Sequence, residues 1–504
     1  MLQKKTAQSL LYRLNREISR WIVLPEDNPD LRNENKKGIG GIANPFHAYI
    51  EKDNGYILYG NDGSIRFFEN NLLKKWVDYK NNALIFSYSE GRLIRIEGPK
   101  NNYLGFHYNY EGKISEAYAR DGRRIYYHYD SRGDLIAVIQ PNDAAINYEY
   151  NLLHQIIRET RPLGSILENE YENNKVIKQR SPLGPQQEMI TSATFAYHDG
   201  VTVATDASGS NTEYHIYQKQ IYKIIDPLGH LILRSWFIDK NTWFDADTET
   251  IQSWDQAGGW QRSLKSSKDK RGLITEYTYD DRGNLQEVQL IGNDLTGDGV
   301  SKISKLLTYN SRNLCTSETA FNRITNTTYD PNFPYLPKRI EIQSENIILS
   351  FVDLEYSATG QVRSENRNGA LTIFEYEEHG FPSKSIQTTG TEDPDVIITY
   401  KYNHQGQCIE KTTSDSIQIN DYDIVGNVLS SITYNLNGVP ISKRYLSYNQ
   451  NNECVCSLGD DPNDIQYFDY NSAGLLKARR KKLSHLEGSS DGVAYTLYEY
   501  DTCG

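Results

Sequence analysis

Four of the six tryptophans in this 504-residue chain fall between residues 186 and 271: Trp236, Trp243, Trp254 and Trp260. Asp245, Asp247, Glu249 and Asp255 lie among them. Two chemistries use such a set. Indole faces stack on a sugar ring while carboxylates hydrogen-bond its hydroxyls. Paired carboxylates also act as acid and nucleophile in glycoside hydrolysis when their separation is fixed. The opposing reading is that large rings fill a core where strand register breaks. Trp236, Trp243, Trp254 and Trp260 are the candidate ligand-binding residues. No residue is assigned as catalytic, because nothing in the sequence fixes the carboxylate separation.

Other constellations carry less. Asn293-Asp294-Leu295-Thr296-Gly297-Asp298-Gly299 resembles a short calcium loop. It offers two carboxylates where calcium takes roughly six to eight oxygens, so a polar hairpin tip accounts for it. The cysteines are Cys315, Cys408, Cys454, Cys456 and Cys503, an odd number without tight spacing. Cys454 and Cys456 would share one strand face. They read as small strand residues, with a metal or redox pair as the alternative. Gly38-Ile39-Gly40-Gly41 lacks the strand, helix and lysine of a phosphate loop. No His-Glu-x-x-His, Gly-x-Ser-x-Gly or Cys-x-x-Cys occurs, and histidines such as His128 and His154 fall at strand or turn positions. No cofactor or metal is expected, and the chain is read as a non-enzyme.

The elements around these residues are more regular than the residues themselves. In Tyr127-His128-Tyr129-Asp130-Ser131-Arg132-Gly133-Asp134-Leu135, apolar alternation leads into a turn and a second apolar run leaves it. Asp hydrogen-bonds the backbone two residues on, and Gly takes the positive φ that closes a type I turn with a bulge. The phrase recurs at Tyr279-Asp280-Asp281-Arg282-Gly283-Asn284-Leu285, at Tyr402-Asn403-His404-Gln405-Gly406, at Tyr422-Asp423-Ile424-Val425-Gly426-Asn427, and at Tyr470-Asn471-Ser472-Ala473-Gly474. Looser copies sit at Tyr88, Tyr110, Tyr150, Tyr309, Tyr329, Tyr356, Tyr376 and Tyr448. A period near 20 residues holds two strands and two turns and marks a repeat architecture. Pro162-Leu163-Gly164, Pro182-Leu183-Gly184 and Asp226-Pro227-Leu228-Gly229 supply the opposite turns.

This pattern resembles the RHS/YD-repeat family, whose signature is Tyr-x-Tyr-Asp-x-x-Gly-x-Leu-x-x-Val. The resemblance covers roughly residues 50 to 504. Its motif consists of strand and turn residues, so no catalytic assignment comes with it. The resemblance implies an all-β array of hairpins coiling into a curved or hollow shell, as in bacterial polymorphic toxins, insecticidal toxin complexes and teneurins. It implies a non-catalytic structural shell that encapsulates or presents a toxic effector. The alternative is a carbohydrate-binding or adhesive module. The Asp-Pro-x-Gly-Leu core that closes such shells is not found; Asp226-Pro227-Leu228-Gly229 is followed by His230. The chain is therefore read as a shell piece whose partner is a C-terminal effector or another shell segment, with a cell-surface glycan as the alternative partner.

Expected boundaries are a helix over 1–25, a linker over 26–49, hairpins over 50–185, an irregular Trp-rich β segment over 186–271, and hairpins over 272–504. In the helix, Leu10, Leu14, Ile18 and Trp21 recur at helical spacing before Pro25. Charges interrupt that face, so it is not a signal peptide. Longer loops are expected over 385–396 and over 477–492, which holds Arg479-Arg480-Lys481-Lys482. A net charge of -12 argues against nucleic acid as the main partner. No apolar run reaches the roughly 18 residues of a membrane span. A secreted or cell-surface location follows from the resemblance.

Overall fold

The computed structural model describes residues 37–38, 46–52, 54–60, 63–182, 188–239, 241–254, 262–293, 295, 301–388, 394–461, 464–471, 474–482 and 493–498. The helix expected over 1–25 lies outside them. The described residues are all-β, with antiparallel strands joined by tight turns. The chain divides into two compact units. One holds residues 1–101, 217–223 and 230–371; the other holds 102–216, 224–229 and 372–504.

In the second unit the central hairpin is Arg124–Tyr129 with Leu135–Ile139. Its turn shows how the motif works. The Asp130 N–H donates to the Asp134 carbonyl (3.0 Å), and the Gly133 N–H to the Asp130 carbonyl (3.0 Å). The Asp130 carboxylate accepts the N–H groups of Arg132 and Asp134, both at 2.9 Å. Gly133 has φ 88°, which a side chain would make costly. The register slips by one residue between His128 and Tyr129, so Tyr129 lies opposite Leu135 in a β-bulge.

A bulge leaves a ladder carbonyl without its strand partner, and a half-buried carbonyl needs one. The tyrosine of the next repeat supplies it. Tyr150 Oη donates to the Leu135 carbonyl (2.8 Å), and Leu135 is the residue opposite Tyr129. Tyr171 Oη reaches the Ile156 carbonyl (2.8 Å), and Ile156 lies opposite Tyr150. The same step links Tyr129 to Ile114, Tyr422 to Cys408 and Tyr470 to Cys454. In the first unit it links Tyr88 to Leu73, Tyr309 to Leu285, Tyr329 to Cys315 and Tyr356 to Pro337.

The turns are also linked to each other. Asn284 donates to the Asn313 side chain (3.0 Å), Asn427 to Asn452 (3.1 Å) and Gln155 to Asn174 (3.2 Å). Asn313, Asn452 and Asn174 each have positive φ; Asn313 and Asn452 hold the place that Gly133 has in its own turn, and Asn174 closes a two-residue turn with Asn173. A glycine there has no side chain for the link, and Asn tolerates the conformation.

Several expectations change. The copy assigned to Tyr110 belongs to Tyr108, where the register slips opposite Ile114. Tyr110 is a turn residue, 94% exposed. Strand pairing starts inside the expected linker: Lys37–Gly38 pairs with Phe46–Lys52. Of the loop expected over 385–396, residues 385–388 and 396 are strand, Pro382–Thr388 pairing with Val396–Tyr402, while 389–393 lie outside the described residues. The basic run expected in a loop over 477–492 is in the strand Leu476–Lys482, paired with Ile465–Tyr470 and Val493–Leu497. Its charges are tolerated because the neighbouring strand answers them: Arg480 meets Asp469 (2.7 Å) and Lys481 meets Asp464 (3.0 Å). The expected irregular segment includes ordinary antiparallel strands, such as Ile190–His198 with Val201–Asp206. Its departure is one inserted hairpin: Leu231–Phe237 pairs with Leu264–Lys268, while Thr242–Asp245 and Thr250–Ser253 fold out between them.

The ladder makes a prediction about alkali. Burial pushes up the phenols of Tyr129, Tyr150, Tyr309, Tyr329, Tyr422 and Tyr470, and that of Tyr356 to about 12. An unfolded tyrosine ionises near pH ~10. The folded state holds the phenol proton more tightly, so this stability is complete below that pH. It is lost as pH rises through the folded values. Denaturant midpoints should hold steady to about pH 9.5 and then fall steeply, in step with phenolate absorbance. A midpoint unchanged through about pH 11.5 would contradict the ladder's role.

Candidate functional site

The inserted hairpin brings a cluster of aromatic rings together in the first unit. Strand alternation turns Leu233, Ser235 and Phe237 to one buried face of Leu231–Phe237. Phe237 is 1% exposed. Trp243, Trp254 and Tyr279 surround it edge-on, with ring centroids at 6.3, 6.2 and 6.2 Å. Trp243 and Trp254 touch each other at 4.8 Å. Trp243 is 9% exposed and Trp254 36% exposed. The fold thus brings two of the candidate tryptophans together, Trp243 in the core and Trp254 at its exposed edge.

Trp236 lies on the opposite parity. Its indole N–H donates to the Ile221 carbonyl (3.1 Å), fifteen residues back. Tyr129, Tyr150, Tyr171 and Tyr279 span the same separation, so Trp236 holds a ladder tyrosine's place. Trp260 and Asp255 lie outside the described residues, as does most of the candidate calcium loop over 293–299.

The acids turn to different partners. Asp245 accepts the N–H groups of Asp247 (2.9 Å) and Thr248 (3.0 Å) as a turn cap. Asp247 faces Lys268 (3.7 Å), and Glu249 holds Lys223 (2.8 Å). Among the described residues no three His, Cys, Asp or Glu side chains converge to hold a metal. Cys315, Cys408 and Cys454 occupy the motif's leucine position, opposite Tyr309, Tyr402 and Tyr448. Burial pushes all three thiols up, away from thiolate reactivity. Among the described residues no helix is long and apolar enough to cross a membrane.

Sequence reasoning missed Lys265. It is 5% exposed, with Nζ 4.3 Å from the Trp254 ring centroid and 5.7 Å from that of Trp243. Glu276 approaches at 3.8 Å. Desolvation pulls the ammonium pKa down, against the attraction of Glu276 and Asp245. The charged folded form therefore carries a penalty at neutral pH. It is relieved as pH rises towards the unfolded value of about 10.4. Lys265→Met keeps the stem and removes the charge. Its stability at pH 7 should stay within about 1 kcal/mol of the parent, cation–π loss offsetting desolvation relief. A loss above about 3 kcal/mol in denaturant titration would show that the ammonium is essential to the cluster.

Sequence reasoning also missed a cleft of about 220 Å³ beside this cluster. Tyr217, Tyr222, Trp236 and Phe244 wall it, with Lys219 and Arg262 among its lining. Tyr217 stacks on Phe244 at 4.2 Å, and Tyr222 meets Phe244 edge-on at 5.0 Å. The available signal was Tyr217-Gln218-Lys219-Gln220, a hairpin turn without Gly or Asn.

No family model matches the sequence, and no curated protein matches it. Solved structures do. TcdB2-TccC3 without its hypervariable C-terminal region is 12% identical, over 98% of this chain and 27% of that chain, with a TM-score of 0.45. TcdB2-TccC3-Cdc42 is 11% identical, over 98% of this chain and 32% of that one, at 0.44. A Tc holotoxin pore of Photorhabdus luminescens is 11% identical, over 90% and 30%, at 0.41. The chain spans about a third or less of the length of these matched chains.

Proposed function

We propose that this chain is a non-catalytic structural β-array: a wall segment that encloses or presents an effector domain, acting outside the cell that makes it. The observation that carries this is the tyrosine ladder. In the repeats named above, the tyrosine completes the hydrogen bonding of the repeat before it, so the motif's polar atoms go into extending a sheet. In stacked repeats, each unit buries its face only against neighbours, and stability accumulates along the array. Right-handed strand twist makes a long antiparallel sheet curl. A curled sheet has an inside that can hold cargo.

Electron microscopy of the purified chain, with its mass from light scattering, tests this reading. A hollow or cup-shaped outline is the expected result. A solid compact body or a straight rod would overturn enclosure.

A further inference from the structure

The cleft beside Trp236 has a composition that building a sheet does not require. Its walls are aromatic: the stacked Tyr217–Phe244 pair, Tyr222 and the Trp236 indole. Gln218 and Gln220 add amides that both donate and accept hydrogen bonds. Lys219 and Arg262 are exposed cations among the lining residues. Among the described residues, neither the Lys219 ammonium nor the Arg262 guanidinium forms an ion pair.

The backbone places these groups at a cost. Nine described residues other than Gly, Asn, Asp or His have positive φ, and three of them, Gln218, Lys219 and Arg262, line this cleft. A two-residue hairpin turn with positive φ at both positions favours Asn-Gly. Here it carries Gln218 at 46° and Lys219 at 69°. Arg262, at 66°, is fixed by its N–H to the Phe237 carbonyl (2.7 Å), one residue along from Trp236. Long polar side chains held in a disfavoured conformation around one concavity are a mark of a binding site.

The ligand's chemistry follows from the lining. Aromatic walls take the C–H face of a sugar ring, amides match its hydroxyls, and two cations match a carboxylate. A volume of about 220 Å³ is below the roughly 300–1,000 Å³ of drug-sized pockets, so the cleft takes one ring. We propose that it binds a carboxylated pyranose, such as a uronic acid, at the end of a glycan. The site is independent of whether the array encloses cargo.

Ligand-observed saturation-transfer NMR on the full chain tests this, with sodium glucuronate as probe and glucose as uncharged comparator. Saturable transfer to glucuronate is expected, with glucose binding markedly more weakly. The double variant Lys219→Gln/Arg262→Gln should lose about tenfold in affinity, as two exposed charge contacts imply. Its thermal midpoint should be unchanged, because both residues are exposed. Added salt should weaken glucuronate binding to the parent. A disaccharide ending in glucuronate should bind at least as well as the monosaccharide. No transfer to glucuronate, equal binding of glucose, or equal affinity in the folded double variant would overturn the site. Exclusion of the disaccharide would overturn the glycan terminus as its source.

Discussion

Phe237→Ala should destabilise the first unit by about 3–5 kcal/mol, the range for emptying a buried phenylalanine site. Phe237 is the one fully buried large side chain among the described residues. Its neighbours Trp243, Trp254 and Tyr279 present ring edges, and each such pair contributes about 0.5–1.5 kcal/mol beyond buried area. The three rings belong to different strands or their ends, which limits how far the hole can collapse. Phe237→Leu keeps most of the volume and should cost about 1–1.5 kcal/mol. Denaturant titration followed by tryptophan fluorescence measures both, since Trp243 and Trp254 report their own environment. Hydrogen exchange should place the loosening in residues 231–291, because repeats interact mainly with their neighbours. A cost below about 1 kcal/mol for Phe237→Ala would mean that the aromatic cluster is not the unit's core.

The second large effect is expected from removing three consecutive rungs of the ladder. Tyr129→Phe, Tyr150→Phe and Tyr171→Phe keep every ring and delete only the hydroxyls that donate to Ile114, Leu135 and Ile156. Leaving a buried carbonyl unsatisfied costs about 1–3 kcal/mol. These sites are half-buried, and the Ile156 carbonyl keeps the Asn169 side-chain amide (3.3 Å), so about 1 kcal/mol is expected at Ile114 and at Leu135 and less at Ile156, about 2 for the triple variant. The loss should be local, with faster amide exchange in residues 103–181 and little change beyond. The triple variant should also lose part of the fall in stability above about pH 10, because the raised phenols of Tyr129 and Tyr150 are removed. An unchanged denaturation midpoint together with an unchanged alkaline profile would show that the bulge carbonyls need no partner.

Turn chemistry was readable in the sequence because it depends on residues only a few positions apart. Asp130, Gly133 and Leu135 specify the turn, the positive φ and the start of the next strand within six residues. Where two readings differ by two residues, that locality fails. Tyr108 and Tyr110 flank Asn109 equally, and the bulge opposite Ile114 selects Tyr108. Loop-like composition misled for a related reason. Arg479, Arg480 and Lys481 read as solvated until the neighbouring strand supplies Gln466, Asp469 and Asp464.

By itself the sequence determined the repeat: its period, its antiparallel hairpins and the residue types at each turn. Those follow from backbone sterics and short-range hydrogen bonding, which act along the chain. Only the tertiary structure decided what each repeat gives the next. The fifteen-residue reach of the tyrosine hydroxyl, the substitution of Trp236 for a ladder tyrosine and the burial of Lys265 all depend on which strand lies alongside. The cleft depends on it most. Tyr217 and Phe244 meet only because the hairpin inserted between Leu231–Phe237 and Leu264–Lys268 folds back on the turn at Gln218-Lys219. Contacts of that range are set by strand register and by packing, and no local pattern encodes them.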